Sequence, residues 1–232
     1  MRRANPERVA AVPSPIRIAI LAKAPIAGLA KTRLIPQLGA ESAAALQAVL
    51  LQRAVATALA AKCGPVTLWC APDCSHPAFA ALAASGQLTL AGQPAGDLGA
   101  RMHAATLAAH ATLSGGGGTL LIGTDCPVLT PALLREAAAA LREHDATLIP
   151  AEDGGYVLIG LRQPEPIVFA DIAWSTPAVA AQTRERFAAL GWRWHELAPL
   201  WDVDHPADVE RLHRHDPALA AAAWSPDAER SA

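Results

Sequence analysis

The feature that most constrains the fold is an alternation of short apolar runs with longer alanine- and leucine-rich segments. The runs I-R-I-A-I-L-A (16–22) and T-L-L-I-G (119–123) have the composition and length of buried strands. Between such runs, apolar positions recur at helical spacing. Strands that alternate with helices predict a largely parallel sheet covered on both faces, and therefore an α/β fold.

The same alternation gives the expected boundaries. Strands are predicted at 16–22, 65–71, 87–91, 119–123, 146–150, 155–161 and 192–197. Helices are predicted at 40–62, 98–113, 131–143 and 177–190, with a small one after His76 and a last one from Pro206. We therefore expect one domain at 15–214, between a flexible tail at 1–14 and a C-terminal tail at 215–232.

Composition excludes several classes of protein. The 232 residues suit one sizeable domain, and a hydrophobic content of 52% with 17% charged residues indicates a globular chain. A net charge of −2 without long charged blocks argues against a nucleic-acid or anionic-membrane surface. The four cysteines form no C-x-x-C pair, and no uninterrupted apolar span approaches about 20 residues. We expect a cytoplasmic protein with reduced thiols and no membrane span.

The loop after the first strand is rich in cations. Lys23, Lys31 and Arg33 lie within eleven residues of a chain otherwise sparse in charge. A P-loop is excluded, because Pro25 and Ala30 stand where that motif needs glycine. Three cations at the carboxyl end of a strand suit a diphosphate, and the alternative is a solvated loop.

Two acidic segments also follow predicted strands. In G-T-D-C-P (123–127), Asp125 comes directly after a buried strand and could hold Mg²⁺ or Mn²⁺. The alternative role for Asp125 is to cap the next helix, but Thr130 is better placed to cap it. In W-D-V-D-H-P (201–206), Asp202 and Asp204 share a side if the segment is extended. One of them could join Asp125 at the metal while the other caps the helix from Pro206.

Six ordered motifs across about 16–214 resemble those of one bacterial family. They are K-A-P-x-x-G-x-x-K-T-R-L, Q-P-A-G-D-L-G-A-R-M, G-T-D-C-P, P-A-E-D-G-G-Y-V-L-I-G-L, W-S-T-P and D-V-D. The family is a nucleotide-diphospho-sugar transferase-like group, long catalogued as a domain of unknown function. It is grouped with glycosyltransferases, some of them proposed in arsenosugar biosynthesis. More distantly, the chain resembles phospholactate and molybdenum-cofactor guanylyltransferases.

The resemblance implies a single Rossmann-like domain of the glycosyltransferase A type and a role for each motif. It implies that the nucleotide is bound by Lys23, Lys31, Arg33, Gln93, Asp97 and Gly99, with Arg101 behind them. Asp125 would be the metal aspartate. Because the usual D-x-D pair is absent, the second metal ligand is open between Asp204, which we prefer, and Asp202.

The segment D-G-G-Y gives candidates for the substrate side. Adjacent glycines let a backbone approach a ligand closely, and they equally suit a tight turn. Asp153 could orient a sugar hydroxyl or act as a general base beside Gly154, Gly155 and Tyr156. Trp174 and Ser175 could line the binding site of the acceptor substrate. An equally good interpretation of Trp174 is that it is buried in the core. Of the eight histidines, His205 is of interest because it adjoins Asp204.

These observations favour a metal-dependent transferase with a nucleotide-activated substrate. The first hypothesis is a glycosyltransferase that moves a sugar from a nucleotide sugar to a small acceptor with Mg²⁺ or Mn²⁺. The second is a nucleotidyltransferase that uses a nucleoside triphosphate and releases pyrophosphate; its relatives tend towards G-G-x-x-x-R-M/L-G in the first loop, which this chain lacks. The third is a nucleotide-binding regulatory protein without catalysis.

Overall fold

The structure is a computed structural model that describes residues 15–112 and 117–223. The tail expected at 1–14 lies outside the described residues. Seven strands form one sheet: β1 (Arg17–Lys23), β2 (Val66–Ala71), β3 (Leu88–Gly92), β4 (Thr119–Ile122), β5 (Ala146–Pro150), β6 (Tyr156–Leu161) and β7 (Trp194–Glu196). Their order across the sheet is β3-β2-β1-β4-β6-β5-β7. All pairs are parallel except those of β6, which runs antiparallel to β4 and β5.

Eight helices accompany the sheet within the described part of the chain. They are α1 (Ile35–Leu38), α2 (Ala40–Ala61), α3 (Pro77–Ala83), α4 (Leu98–Ala111), α5 (Pro131–Ala140), α6 (Val179–Ala189), α7 (Pro206–His215) and α8 (Pro217–Ala223). The α/β class and the mainly parallel sheet are confirmed, and the predicted strands and helices agree with the observed ones to within about three residues.

The two faces of the sheet are buried by different helices. Alternate residues of β1 point in opposite directions, so Ile18 and Ile20 pack in a cluster with α2, α3 and α5. Ala19 instead packs in a cluster with α4 and α6. α2 is long and apolar enough to cross a membrane, but 56% of its most apolar window is buried, as in a core helix.

The C-terminal boundary differs from the expectation. Residues 217–223 are helical rather than part of a loose tail, and α8 packs on α2 and α7. Ala220 is buried in a third apolar cluster with Leu46 and Leu50 of α2. Small side chains let α8 approach α2, so a segment that looked like a polar, alanine-rich tail extends the domain past residue 214.

Candidate functional site

A cavity of about 960 Å³ opens at the carboxyl ends of the parallel strands. In open α/β sheets, ligands bind at this edge. The cavity brings together the predicted residues Lys23, Lys31, Arg33, Gln93, Asp97, Arg101, Asp125, Asp153, Gly155, Tyr156, Trp174, Ser175, Asp202, Asp204 and His205. Gly99 and Gly154 lie outside its lining.

Lys31 is the most constrained cation in the cavity. Its backbone is left-handed, with φ 48° and ψ 43°, and its side chain is only 4% exposed. The Nζ atom contacts Asp125 Oδ1 at 2.7 Å, Asp204 Oδ1 at 3.5 Å and the carbonyl oxygen of Val203 at 2.6 Å. An ammonium group has three donors; two oxygens lie at hydrogen-bond distance from it, and Asp204 lies at ion-pair distance. In this arrangement Lys31 acts as an internal counter-ion, and a phosphate would have to displace one of its partners.

Asp125 is oriented from behind by two polar residues of the core. Thr124 donates its hydroxyl to Asp125 Oδ1 at 3.1 Å, and Gln47 donates its amide to Thr124 Oγ1 at 3.1 Å. The same amide contacts the carbonyl oxygen of Lys23 at 3.4 Å. Gln47, on α2, is 4% exposed. It was not among the predicted site residues, and the sequence signal for it, an amide within the apolar stretch of α2, is shared with Gln52.

The expectation that Asp202 or Asp204 caps the last helix is wrong. The residue before α7 is His205, and Asp208 Oδ2 accepts from the backbone N–H groups of His205 at 2.7 Å and Asp204 at 3.0 Å. The Asp204 side chain instead binds Arg33, with 2.9 Å between Nη1 and Oδ2. Because a third aspartate takes part in the capping, neither carboxylate of the D-V-D segment is used for it, and both residues line the cavity.

Carboxylates crowd one part of the cavity, here called the acidic half: Asp125, Asp153, Asp202 and Asp204. Burial, together with the charges of Asp153, Asp204 and Asp125, raises the pKa of Asp202 to about 6, while Lys31 opposes the shift. Carboxylate oxygens are ligands that Mg²⁺ and Mn²⁺ accept, and a divalent cation would relieve this repulsion. The donor set therefore fits such an ion, although within residues 15–112 and 117–223 no three acidic, histidine or cysteine side chains form a ready-made metal site.

The turn between β5 and β6 fixes Asp153. Asp153 Oδ1 accepts from the N–H of Gly155 at 2.8 Å, so the carboxylate is held beside its own backbone. Gly154 has φ +92°, and a Cβ there would collide with the backbone of Pro177. Its carbonyl oxygen also accepts from the N–H of Ala180 at 2.9 Å. The geometry thus explains Gly154 by the turn and its packing.

Three further predicted residues make contacts that stabilise the fold. Tyr156 borders the cavity, but its hydroxyl donates to Met102 Sδ at 3.6 Å in the core, and burial raises the pKa of that phenol. A Cβ at Gly99 would meet the Trp174 ring and the carbonyl oxygen of Phe169. Gly99 therefore makes room for Trp174, which borders the cavity while packing partly in the core.

Two cations that also line the cavity, Lys23 and Arg101, are here called the basic half. Lys23 is exposed at the end of β1, and its ammonium has no partner in the described part of the chain. Arg101 uses only Nε, which donates to the carbonyl oxygen of Gly96 at 3.1 Å. Nearby, Gln93 donates its amide to backbone carbonyl groups, and Asp97 caps α4 by accepting from Ala100 N at 2.8 Å. Unpaired cations lining a cavity favour an anionic ligand.

Comparison with known proteins agrees with this architecture. Residues 54–176 match the model of a family described as "Uncharacterized protein conserved in bacteria (DUF2064)". The chain is 30% identical to a protein from Desulfovibrio desulfuricans G20 that is provisionally assigned as a nucleotide-diphospho-sugar transferase. That alignment covers 89% of this chain and 92% of the other, with a TM-score of 0.80. Among curated proteins, none matches the chain.

More distant solved structures share the fold. A nucleotidyl transferase from Methanothermobacter thermautotrophicus is 14% identical, with a TM-score of 0.55 over 86% of this chain and 97% of that one. Rv0371c from Mycobacterium tuberculosis H37Rv, solved as a complex with manganese, is 21% identical, with a TM-score of 0.52 over 85% of this chain and 97% of that one. At these identities the likeness concerns the fold alone.

Proposed function

Because this chain belongs to the bacterial family DUF2064, we propose that it is a transferase of nucleotide-activated substrates, and in the first place a glycosyltransferase. The observation that carries the proposal is the pairing of two unlike halves in one cavity. Lys23 and Arg101 present unpaired positive charge, while Asp125, Asp153, Asp202 and Asp204 present carboxylates. A volume of about 960 Å³ is at the upper end of ordinary ligand pockets and suits a nucleotide sugar.

In the proposed reaction, the basic half binds the diphosphate of the donor. The acceptor hydroxyl attacks the anomeric carbon of the sugar, the bond from that carbon to the diphosphate oxygen breaks, and a nucleoside diphosphate leaves. Asp153 has one carboxylate oxygen engaged by Gly155; its other oxygen takes the acceptor proton. Lys23 and Arg101 stabilise the charge that develops on the leaving group.

Asp125, Asp204 and Asp202 are the residues that would hold Mg²⁺ or Mn²⁺. When bound, the ion would supply additional positive charge to the diphosphate. Lys31 holds Asp125 and Asp204 in place from the protein side, at 2.7 and 3.5 Å. The manganese complex of Rv0371c is consistent with a divalent ion in this fold.

Nucleotidyl transfer is the second candidate. One observation favours it: the loop after β4 supplies one carboxylate, that of Asp125, where a D-x-D pair is usual, and the other two candidate ligands come from the segment before α7. In that reaction the acceptor oxygen would attack the α-phosphorus of a nucleoside triphosphate, and pyrophosphate would leave.

Phosphorus-31 NMR of the product separates the candidates. The protein is incubated with Mg²⁺ or Mn²⁺ and with either nucleotide sugars or nucleoside triphosphates, and small sugars and sugar phosphates serve as acceptors. Release of nucleoside diphosphate from a nucleotide sugar supports glycosyl transfer, and pyrophosphate release supports nucleotidyl transfer. Calorimetric binding of a nucleotide sugar without release of either product would overturn both and favour a regulatory nucleotide-binding protein.

A further inference from the structure

Two loops carry the two carboxylates of the acidic half that form no ion pair within the described residues. Asp153 lies in the turn between β5 and β6, and Asp202 lies in the segment before α7. The loops touch through their backbones: the N–H of Glu152 donates to the carbonyl oxygen of Leu200 at 2.9 Å, beside an isolated bridge between Ala151 and Leu200. The relative position of Asp153 and Asp202 therefore depends on how firmly these two segments are held together.

Arg211, on α7, contacts both loops at once. Its Nη1 and Nη2 donate to Glu152 Oε2 at 2.6 Å and Oε1 at 3.0 Å, a two-pronged pair. Its guanidinium lies over the Trp201 ring, 4.5 Å from the centroid. Glu152 directly precedes Asp153, and Trp201 directly precedes Asp202. One side chain thus fixes the residue before each carboxylate.

Stability alone does not account for this arrangement. The side chains of Arg211 and Glu152 are 40% and 50% exposed, and ion pairs at such exposure contribute little to folding. Trp201 is 7% exposed and already anchored in the apolar cluster with Val203 and Leu212. Arg211 therefore ties an exposed turn to a segment that is anchored independently.

We propose that Arg211 is a positioning residue that holds the Asp153 turn against the Asp202 segment and so sets the geometry of the acidic half. The catalytic part of this inference rests on the proposed function, whereas the positioning of the two loops does not. The basic half receives no contact from Arg211, so nucleotide binding and acceptor activation should respond differently to its loss.

The chain offers a matched control. Arg184 of α6 forms the same two-pronged pair with Glu196 of β7, at 2.7 and 2.9 Å, with 36% and 29% of the side chains exposed. Neither residue lines the cavity. Arg211→Met and Arg184→Met thus remove equivalent ion pairs, one that joins the acidic loops and one that does not.

The test combines hydrogen–deuterium exchange, melting temperature and turnover. In Arg211→Met, amide exchange in 151–156 and 200–205 should rise together by about tenfold, with a melting temperature within a few degrees of wild type. In Arg184→Met both segments should exchange as in wild type. For the nucleotide sugar that wild type turns over, kcat should fall about 10- to 100-fold in Arg211→Met. Affinity for the corresponding nucleoside diphosphate should not change, and Arg211→Lys should recover part of kcat.

Unchanged exchange in both segments of Arg211→Met would overturn the proposal, whatever the reaction is. Increased exchange with unchanged kcat would overturn the catalytic part, as would an equal loss of kcat in Arg184→Met. If wild type turns over no nucleotide sugar or triphosphate, the proposed function has failed, and the exchange of the two segments alone decides whether Arg211 holds them together.

Discussion

The two halves of the cavity differ in whether their charged side chains are paired within the protein. In the acidic half, Asp125 and Asp204 bind Lys31, which is 4% exposed, and Asp204 also binds Arg33. In the basic half, Lys23 is exposed and without a partner in the described residues, and Arg101 uses only one of its nitrogens. The acidic half is thus part of the folded framework, whereas the basic half is available to a ligand. We expect substitutions in the acidic half to affect turnover or stability, and substitutions in the basic half to affect binding.

The largest expected effect is that of Asp125→Asn on turnover. The amide keeps the size of the side chain but loses the charge that faces Lys31 and would bind a divalent ion. Turnover should fall by roughly 10²–10³, as when one charge-stabilising group is removed from a transition state. Steady-state release of nucleoside diphosphate measures it, and Asp171→Asn, an exposed carboxylate outside the cavity lining, is the control. Undiminished metal-dependent turnover would remove Asp125 from the mechanism.

The next effect contrasts the two cations that bind Asp204. Lys31→Met should lower the free energy of unfolding by about 1–3 kcal/mol, because it leaves Asp125 and Asp204 without their buried partner. This is less than for a fully buried pair, since the two carboxylates are 40% and 34% exposed. Arg33→Met removes a pair whose arginine is 52% exposed and should cost less than about 1 kcal/mol. Urea denaturation measures both, and equal losses would contradict the contrast.

Substitutions in the basic half should change the affinity for a nucleoside diphosphate without changing the stability of the fold. Lys23→Ala and Arg101→Ala should each weaken binding of a nucleoside diphosphate by about 10- to 150-fold, since a hydrogen bond to a charged group contributes about 1.5–3 kcal/mol. Calorimetric titration with ADP, GDP, CDP and UDP measures the change. Arg135→Ala, on the surface of α5 and outside the cavity lining, is the control. Wild-type affinity in both variants, or a large loss of melting temperature, would contradict the division into halves.

The smallest effect concerns the pH dependence of stability. The pKa of Asp202 is raised to about 6 in the folded protein, above its usual value of about 3.9. Its contribution to stability is therefore present below about pH 4 and is lost as the pH rises through 6. Between pH 4.5 and 7, the melting temperature of Asp202→Asn should fall by a few degrees less than that of wild type. Both are measured without divalent ions. If the melting temperature of Asp202→Asn falls with pH as steeply as that of wild type, Asp202 does not cause the fall.

Periodicity predicted most of the fold because each strand and helix follows a local pattern. The approximate limits of β5, β6 and α4 can be inferred from apolar spacing alone. α8 was missed because its apolar surface is mostly alanine, which gives a weak periodic signal, and because its burial depends on contact with Leu46 and Leu50 of α2. The antiparallel direction of β6 follows from its short turn after β5.

The site was predicted more completely as a set of positions than as a set of contacts. Motifs that follow strands converge at the carboxyl edge of the sheet by topology alone, and this placed Asp125 and Lys23 in the same cavity. The partners of several side chains depend on distant residues. Nothing local indicates that Lys31 binds the carbonyl oxygen of Val203, 172 positions away. Sequence patterns locate charges, but tertiary contacts decide which of them are neutralised.

The reversed direction of β6 has a consequence for the order in which the site is assembled during folding. Only five residues separate β5 from β6, so the hairpin that carries Asp153 can close locally, an event that takes about 1–10 μs for hairpins. The contact between Lys31 and Val203 closes a loop of 172 residues and must await the rest of the sheet. Pulsed hydrogen exchange during refolding should therefore protect 146–161 before the segment 200–205. The lysine that organises the acidic half would then be among the last parts of the molecule to reach its place.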